Sequence, residues 1–337
     1  MHVVSHEVAS RRATAIAAIA LVAPVSFTTH AAAVADGLPV IVLSATWSGS
    51  VVMAGHRASA SGSASPASSV RRVVLQRRMP DGWKKVKSVA PAESTYRMRV
   101  PTGWFGSFDY RVKAVGVRGV SPAYSQVKSV RVVPSYNPGG AASAHTFAAS
   151  PTARWDACRV IRYRVNAAQA EPGALKDVKV ALLRVHRATG LRFAYNGTTR
   201  IIPQSFSDSY PADSALVIAW ARPAQSPLLA VGRPMGVGGS AWEYGFHDAT
   251  GAAVSRIRAG HVVIDSTQQD QSPAGFGRGK TRGELLMHEI GHAVGLQHTN
   301  DARQIMYPLM QSGVARWGAG DLAGLAKVGV NQGCLTP

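Results

Sequence analysis

Four side chains within residues 288–298, HEIGHAVGLQH, offer the chain's clearest chemistry: His288, Glu289, His292 and His298. Four residues along a helix turn the backbone by about 400°, so His288 and His292 stand one above the other on one face. Two imidazoles placed in this way can hold one Zn2+ at roughly 2.0–2.1 Å each. Glu289 directly follows the first of them, where its carboxylate can reach water at a metal without being a ligand. Gly295 is placed to end the helix in a left-handed turn, which a residue with a Cβ adopts only at a cost. The turned chain can bring His298 back as a third ligand. Three neutral imidazoles, one open position and an adjacent carboxylate make a hydrolytic zinc site.

The elements that must position these groups have their own signals. Thr281 and Glu284 form a T-x-x-E capping box ahead of the helix. Met287, Ile290 and Val294 make an apolar stripe on the side away from the histidines, so one face anchors while the other does chemistry. Upstream, residues 159–166, 191–195, 215–220 and 261–266 read as strands, and 172–189 as a helix with Leu175, Val178, Leu182 and Val185 at helical spacing. The glycine-rich stretch 228–242 reads as a long loop on the rim of a cleft.

The longer string HExxHxxGxxH, followed by Met306 in the run IMYP (305–308), resembles the metzincin metallopeptidases, and among them the matrixin-like branch. Thr299 directly after the third histidine, and Tyr307 directly after Met306, also fit matrixins. The resemblance implies an α+β catalytic domain over 153–337, with a mixed sheet, an active-site helix and a C-terminal helix. It implies hydrolysis of a protein or peptide substrate lying along an edge strand, with one catalytic zinc and Glu289 as general base and acid. Met306 would lie in a tight turn beneath the imidazoles, Tyr307 would stay outside the metal shell, and Asp321 would cap the C-terminal helix and bond the Met-turn. Two family features are missing. Gly320 stands where the family has a second acid, and no Pro-Arg-Cys-Gly-type switch exists in the chain. A structural zinc or calcium loop, which the resemblance would allow, has no diagnostic spacing. Glu243, His247, Asp248, Asp265 and Asp270 therefore read as surface residues, and His145, His186 and His261 as ordinary histidines.

The front of the chain belongs to another class. Arg11 and Arg12 precede an apolar run and then Ala31-x-Ala33 and Ala33-x-Ala35, so residues 1–35 read as a signal peptide and the protein as secreted. The export signal reads as Sec-type, the twin-arginine match being weak, and no later stretch is long enough to span a membrane. An exported chain with two cysteines most simply pairs them, Cys158 with Cys334, free thiols being the alternative.

Residues 36–134 alternate with period two over 39–47, 70–79, 83–89, 95–100, 108–116 and 125–133, with a Pro80-Asp81-Gly82 turn, which predicts an antiparallel β-sandwich resembling immunoglobulin or fibronectin III modules. Residues 135–152, rich in Ala, Gly, Ser and Pro, read as an exposed linker.

Net charge is +19, and residues 36–135 carry 15 Lys and Arg against 4 Asp and Glu. That suggests an anionic cell-wall or surface polymer as partner, or a merely solvated face. No nucleic-acid motif accompanies the charge. Trp83, Trp104 and Tyr110 read as core. Two other functions stay open: an envelope-binding or adhesive protein with a vestigial zinc domain, and a hydrolase of cell-wall peptides or other amides.

Overall fold

The computed structural model describes residues 39–232 and 234–337. The expected signal peptide, 1–35, lies outside the described residues. In the first hundred described residues, alternation does the building. In Thr95–Val100, Tyr96, Met98 and Val100 are buried while Thr95, Arg97 and Arg99 face water. In Gly106–Gly116 the buried set is Phe108, Tyr110, Val112 and Ala114. These strands fall into two sheets. One joins Val42–Leu43, Ala58–Ser65, Thr46–Trp47 and Thr95–Val100. The other joins Val51–Met53, Lys128–Val133, Gly106–Gly116, Val70–Met79, Gly82–Val89 and Ala123–Tyr124. Inward residues of both share a single apolar cluster.

Two sequence expectations change here. The run 39–47 is two short strands, both laid antiparallel on Ala58–Ser65. That partner strand, ASASGSAS, gave no sequence signal because its inward residues are only alanines, which bury cleanly but carry little hydrophobic contrast.

The second region is a sheet with helices packed on it. Val160–Asn166 lies between Arg192–Thr198 and Leu216–Ala221, all parallel, and Leu216–Ala221 lies beside Ala253–Asp265, again parallel. Every residue of Leu216–Ala221 is buried, as befits a central strand covered on both faces. Gly236–His247 then runs antiparallel along Ala253–Asp265. The expected loop at 228–242 is therefore mostly strand. Its glycines mark close approach instead: a Cβ at Gly238 would collide with the Glu289 backbone carbonyl, and one at Gly239 with the Phe206 ring.

Two helices pack on this sheet, α1 (Ala174–Thr189) and α2 (Arg282–Ala293), and a third, α3 (Ala319–Val328), packs against α1. Helix α1 starts after Gly173 and ends at Gly190, both left-handed, and buries Val178, Ala181, Leu182 and Val185. Helices α1 and α2 are tied by a buried ion pair, Arg282 to Asp177 at 2.8 Å. Cys158 and Cys334 form a disulfide across a sequence separation of 176 residues.

Residues 135–152 are not a free linker. Tyr136 Oη donates to the Trp317 carbonyl at 3.1 Å, Ala319 N–H to the Gly139 carbonyl at 2.7 Å, and Thr146–Phe147 pairs antiparallel with Leu296–Gln297. This segment, hereafter the strap, has no apolar periodicity because backbone groups and glycine-sized approaches hold it. The two regions also touch directly. Phe105 N–H donates to the Arg187 carbonyl at 2.7 Å, and the Trp104 ring stands edge-on to His186. Residues 39–337 form one compact unit.

Candidate metal centre and cleft

Helix α2 begins where Thr281 Oγ1 accepts the Glu284 N–H at 3.3 Å. The Glu284 carboxylate accepts from Gln311 N–H at 2.7 Å, so the cap also fixes the wall beyond Met306. Met287, Ile290 and Val294 are buried in the main core. Beyond the C-cap Val294 the chain turns out of the helix at Gly295, whose φ is +107° and where a Cβ would strike the Ala153 carbonyl. Left-handed backbone and close packing both demand glycine there.

This framework brings His288, His292 and His298 together. Their Nε2 atoms lie 3.1–3.2 Å from one another. His288 Nδ1 faces the Ile305 carbonyl at 2.7 Å, and His292 Nδ1 faces the Leu296 carbonyl at 3.0 Å. A carbonyl can only accept, so each Nδ1 carries the proton and each Nε2 presents a lone pair. Burial lowers the pKa of His288 to about 4 and of His292 to about 3, and lowers that of His298, which keeps the rings neutral at pH 7. The lone pairs of His288 and His292 face each other with their Nε2 atoms 3.2 Å apart and repel unless a cation lies between them. Nitrogens 2.0–2.1 Å from a tetrahedral zinc would sit about 3.3 Å apart, so the cluster fits that ion.

Glu289 is buried beside them and lines the same cleft. Desolvation raises its pKa to about 8, against a smaller lowering by a hydrogen bond from the Gly238 backbone. Met306 is buried under the helix, and a Cβ at Gly291 would collide with its sulfur. Gly291, unremarked in the sequence, is thus what lets Met306 approach. Asp321 accepts from Ile305 N–H at 2.6 Å, Met306 N–H at 3.2 Å and Gly318 N–H at 2.9 Å. Burial raises its pKa to about 6 while these bonds pull the other way. It sits in the first turn of α3, with Gly318 as the N-cap, rather than capping the helix from outside. At Gly320, in place of the second acid, a Cβ would strike the Ala144 carbonyl of the strap.

The dispersed acids do not gather. Asp248 accepts from Thr250 and Ala252 within its turn, and Glu243 pairs with Arg256. Asp265 is buried, not at the surface, and accepts from Thr267. Among the described residues, the groups of His, Cys, Asp and Glu close enough to share a metal are the three histidines and the set around the disulfide. His261, expected to be an ordinary histidine, joins no group of candidate metal ligands among the described residues. It is buried between Tyr210 Oη at 2.5 Å and the Phe206 carbonyl at 3.1 Å, pinning a loop beside the cleft.

The cleft encloses about 1230 Å³, bounded by Gly236–Trp242 on one side and by Tyr307–Gln311 on the other. Among the described residues Gly236–His247 pairs with one strand only, its far end bridging to Thr336 through His247.

In comparisons with known proteins, the matrixin family model (peptidase M10) matches residues 179–327, which supports a matrixin-like metallopeptidase domain and, in general, a zinc metallopeptidase. No curated protein matches the chain. Among solved structures, one concerned with T cell specificity and activation by the bacterial superantigen toxic shock syndrome toxin-1 is 10% identical. It covers 27% of this chain and 100% of that chain at a TM-score of 0.23, too low to carry any argument.

Proposed function

From a matrixin-like domain over residues 179–327, we propose that the protein is a secreted zinc metalloendopeptidase. The observation that carries this reading is the set of three converging Nε2 atoms with Glu289 in the same cleft. His288, His292 and His298 would hold the ion. Zinc, when bound, supplies Lewis acidity and brings the pKa of water at the site to near 7.

The remaining chemistry belongs to the chain. An extended peptide adds to the open edge of Gly236–His247, which fixes its direction across the cleft. Glu289, whose pKa burial raises to about 8, would be held in its carboxylate form by a dication at the three histidines. It then takes a proton from the attacking water and returns it to the leaving amine nitrogen, as general base and then acid. Glu289 itself is buried, which keeps bulk water from its carboxyl group.

The two front sheets are an immunoglobulin- or fibronectin III-like β-sandwich in this reading, and their outer face is a binding surface for an anionic cell-wall polymer. The supporting feature is Arg111, whose guanidinium lies 4.3 Å from the Trp83 ring and 4.4 Å from the Tyr124 ring, with Lys113 also over Tyr124. Trp83 is therefore not core. Metal analysis of the exported protein, with a peptide-library digest in the presence and absence of a chelator, tests the main reading. Zinc near one equivalent and chelator-sensitive cleavage are expected; cleavage that ignores the chelator sinks it.

A further inference from the structure

His288 and His292 are held by a helix, but His298 is not. It lies on the chain after Gly295, its side chain half open to solvent, and its place depends on what grips the backbone there. Downstream, Thr299 N–H donates to the Met306 carbonyl at 3.0 Å. Upstream and on the other flank, the grip comes from residues about 150 positions earlier. Thr146 Oγ1 donates to the His298 carbonyl at 2.6 Å. Thr146 and Phe147 pair with Gln297 and Leu296, and Ala148 N–H donates to the Gly295 carbonyl at 3.1 Å.

The strap's other end is fastened to the same loop. Ala141 N–H donates to Asp301 Oδ2 at 3.2 Å, and Gln304 Nε2 donates to the Gly139 carbonyl at 3.3 Å. Closeness is written into both surfaces. A Cβ at Gly140 would meet Gln304 and Asp301, one at Gly320 the Ala144 carbonyl, and one at Gly324 the His145 side chain. Residues 295–304 are thus clamped between the Met-turn and the strap.

Resting on the reading of the three histidines as the ligand set, we propose that the strap is part of the metal centre's scaffold, with Thr146 the positioning residue for His298. A hydroxyl bonded to the backbone of a ligand fixes where the imidazole starts from, much as hydrogen-bonded partners orient ligands at other metal sites.

The test uses the full chain with Thr146→Val, which removes the hydroxyl at nearly constant shape, and Thr146→Ser, which keeps it. Zn2+ and Co2+ dissociation constants are measured by chelator competition, together with the Co2+ visible spectrum and the circular dichroism of the metal-free protein. Thr146→Val should weaken metal binding by roughly 10–100-fold, the usual cost of losing a ligand's supporting bond, and alter the Co2+ bands. Thr146→Ser should stay within a few-fold of the parent. Gly140→Ala, which lifts the strap's far end without touching Thr146, should weaken binding in the same direction with the helices intact. Equal loss in Val and Ser variants would assign Thr146 a packing role, and unchanged affinity in both Thr146→Val and Gly140→Ala would overturn the proposal. A parent chain that binds no metal or cleaves no peptide would instead sink the peptidase reading.

Discussion

The front sheets and the region around α2 use the same means of cohesion, apolar side chains buried at the period of their element, but they spend their polar groups differently. In residues 42–133 the charges mostly face water, Arg77 over the Trp104 and Phe108 rings being the exception, and the inward positions are almost wholly apolar. Around α2 the polar groups go inward: Arg282 to Asp177, Asp321 to the Met-turn, Glu289 into the cleft, and two imidazoles tied to carbonyls. Buried polar groups are costly unless paired, so their concentration in one place marks where chemistry rather than cohesion was selected. The difference teaches where to expect loss of function without loss of fold, and the reverse.

The sharpest break of that comparison is Glu289→Ala. Cleavage should fall by about 10²–10⁴-fold, the usual worth of a general acid–base group, while zinc content by atomic absorption stays near the parent's. In the front sheets the mirror experiment is Leu75→Ala, at a fully buried position. It should cost about 2–5 kcal/mol by denaturant titration, yet leave kcat on a short peptide unchanged wherever the variant is folded.

A third outcome separates the regions by pH. The Glu289 pKa is raised by burial to about 8 in the metal-free protein. The folded state therefore holds a proton that the unfolded chain has given up above about pH 4.5. That contribution is fully present below this range and is lost as pH rises through about 8. Thermal melts of the metal-free protein between pH 6 and 9 should show this fall, and Glu289→Gln should remove it; a parent whose melts are level across the range would count against it.

Gly238→Ala forces a Cβ against the Glu289 backbone and should cost about 1–3 kcal/mol, read by thermal melt. The smallest effect is expected at Arg111→Ala, about 0.5–1 kcal/mol from lost stacking on exposed rings. There the informative readout is co-sedimentation with cell walls, which should drop while peptide cleavage holds.

What was legible in the sequence follows the same divide. Metal geometry constrains residues close in sequence, so His288, Glu289, His292, Gly295 and His298 could be picked out from spacing, and Met306 from the resemblance to metzincins. The front strands were legible wherever large and charged residues alternate, and Ala58–Ser65 was lost where the alternation is only alanine and serine. Two other elements were misread for one reason. Gly236–Gly239 and Gly139–Gly140 carry the composition of loops, but glycine there answers to a neighbouring backbone far away in sequence. Composition cannot separate a glycine that frees the chain from one that lets another chain lie against it. The Arg282–Asp177 pair was invisible for the same cause, its partners being 105 positions apart.

The bond from Thr146 to His298 spans 152 residues of chain, and that distance has a meaning in time. Contacts between distant residues close late, because loop entropy must be overcome before they form. The i, i+4 spacing sets His288 and His292 in register as soon as helix α2 forms, whereas the support for His298 waits until residues 136–148 have found the loop beyond Gly295. A folding chain thus carries two-thirds of a metal site well before it carries the whole.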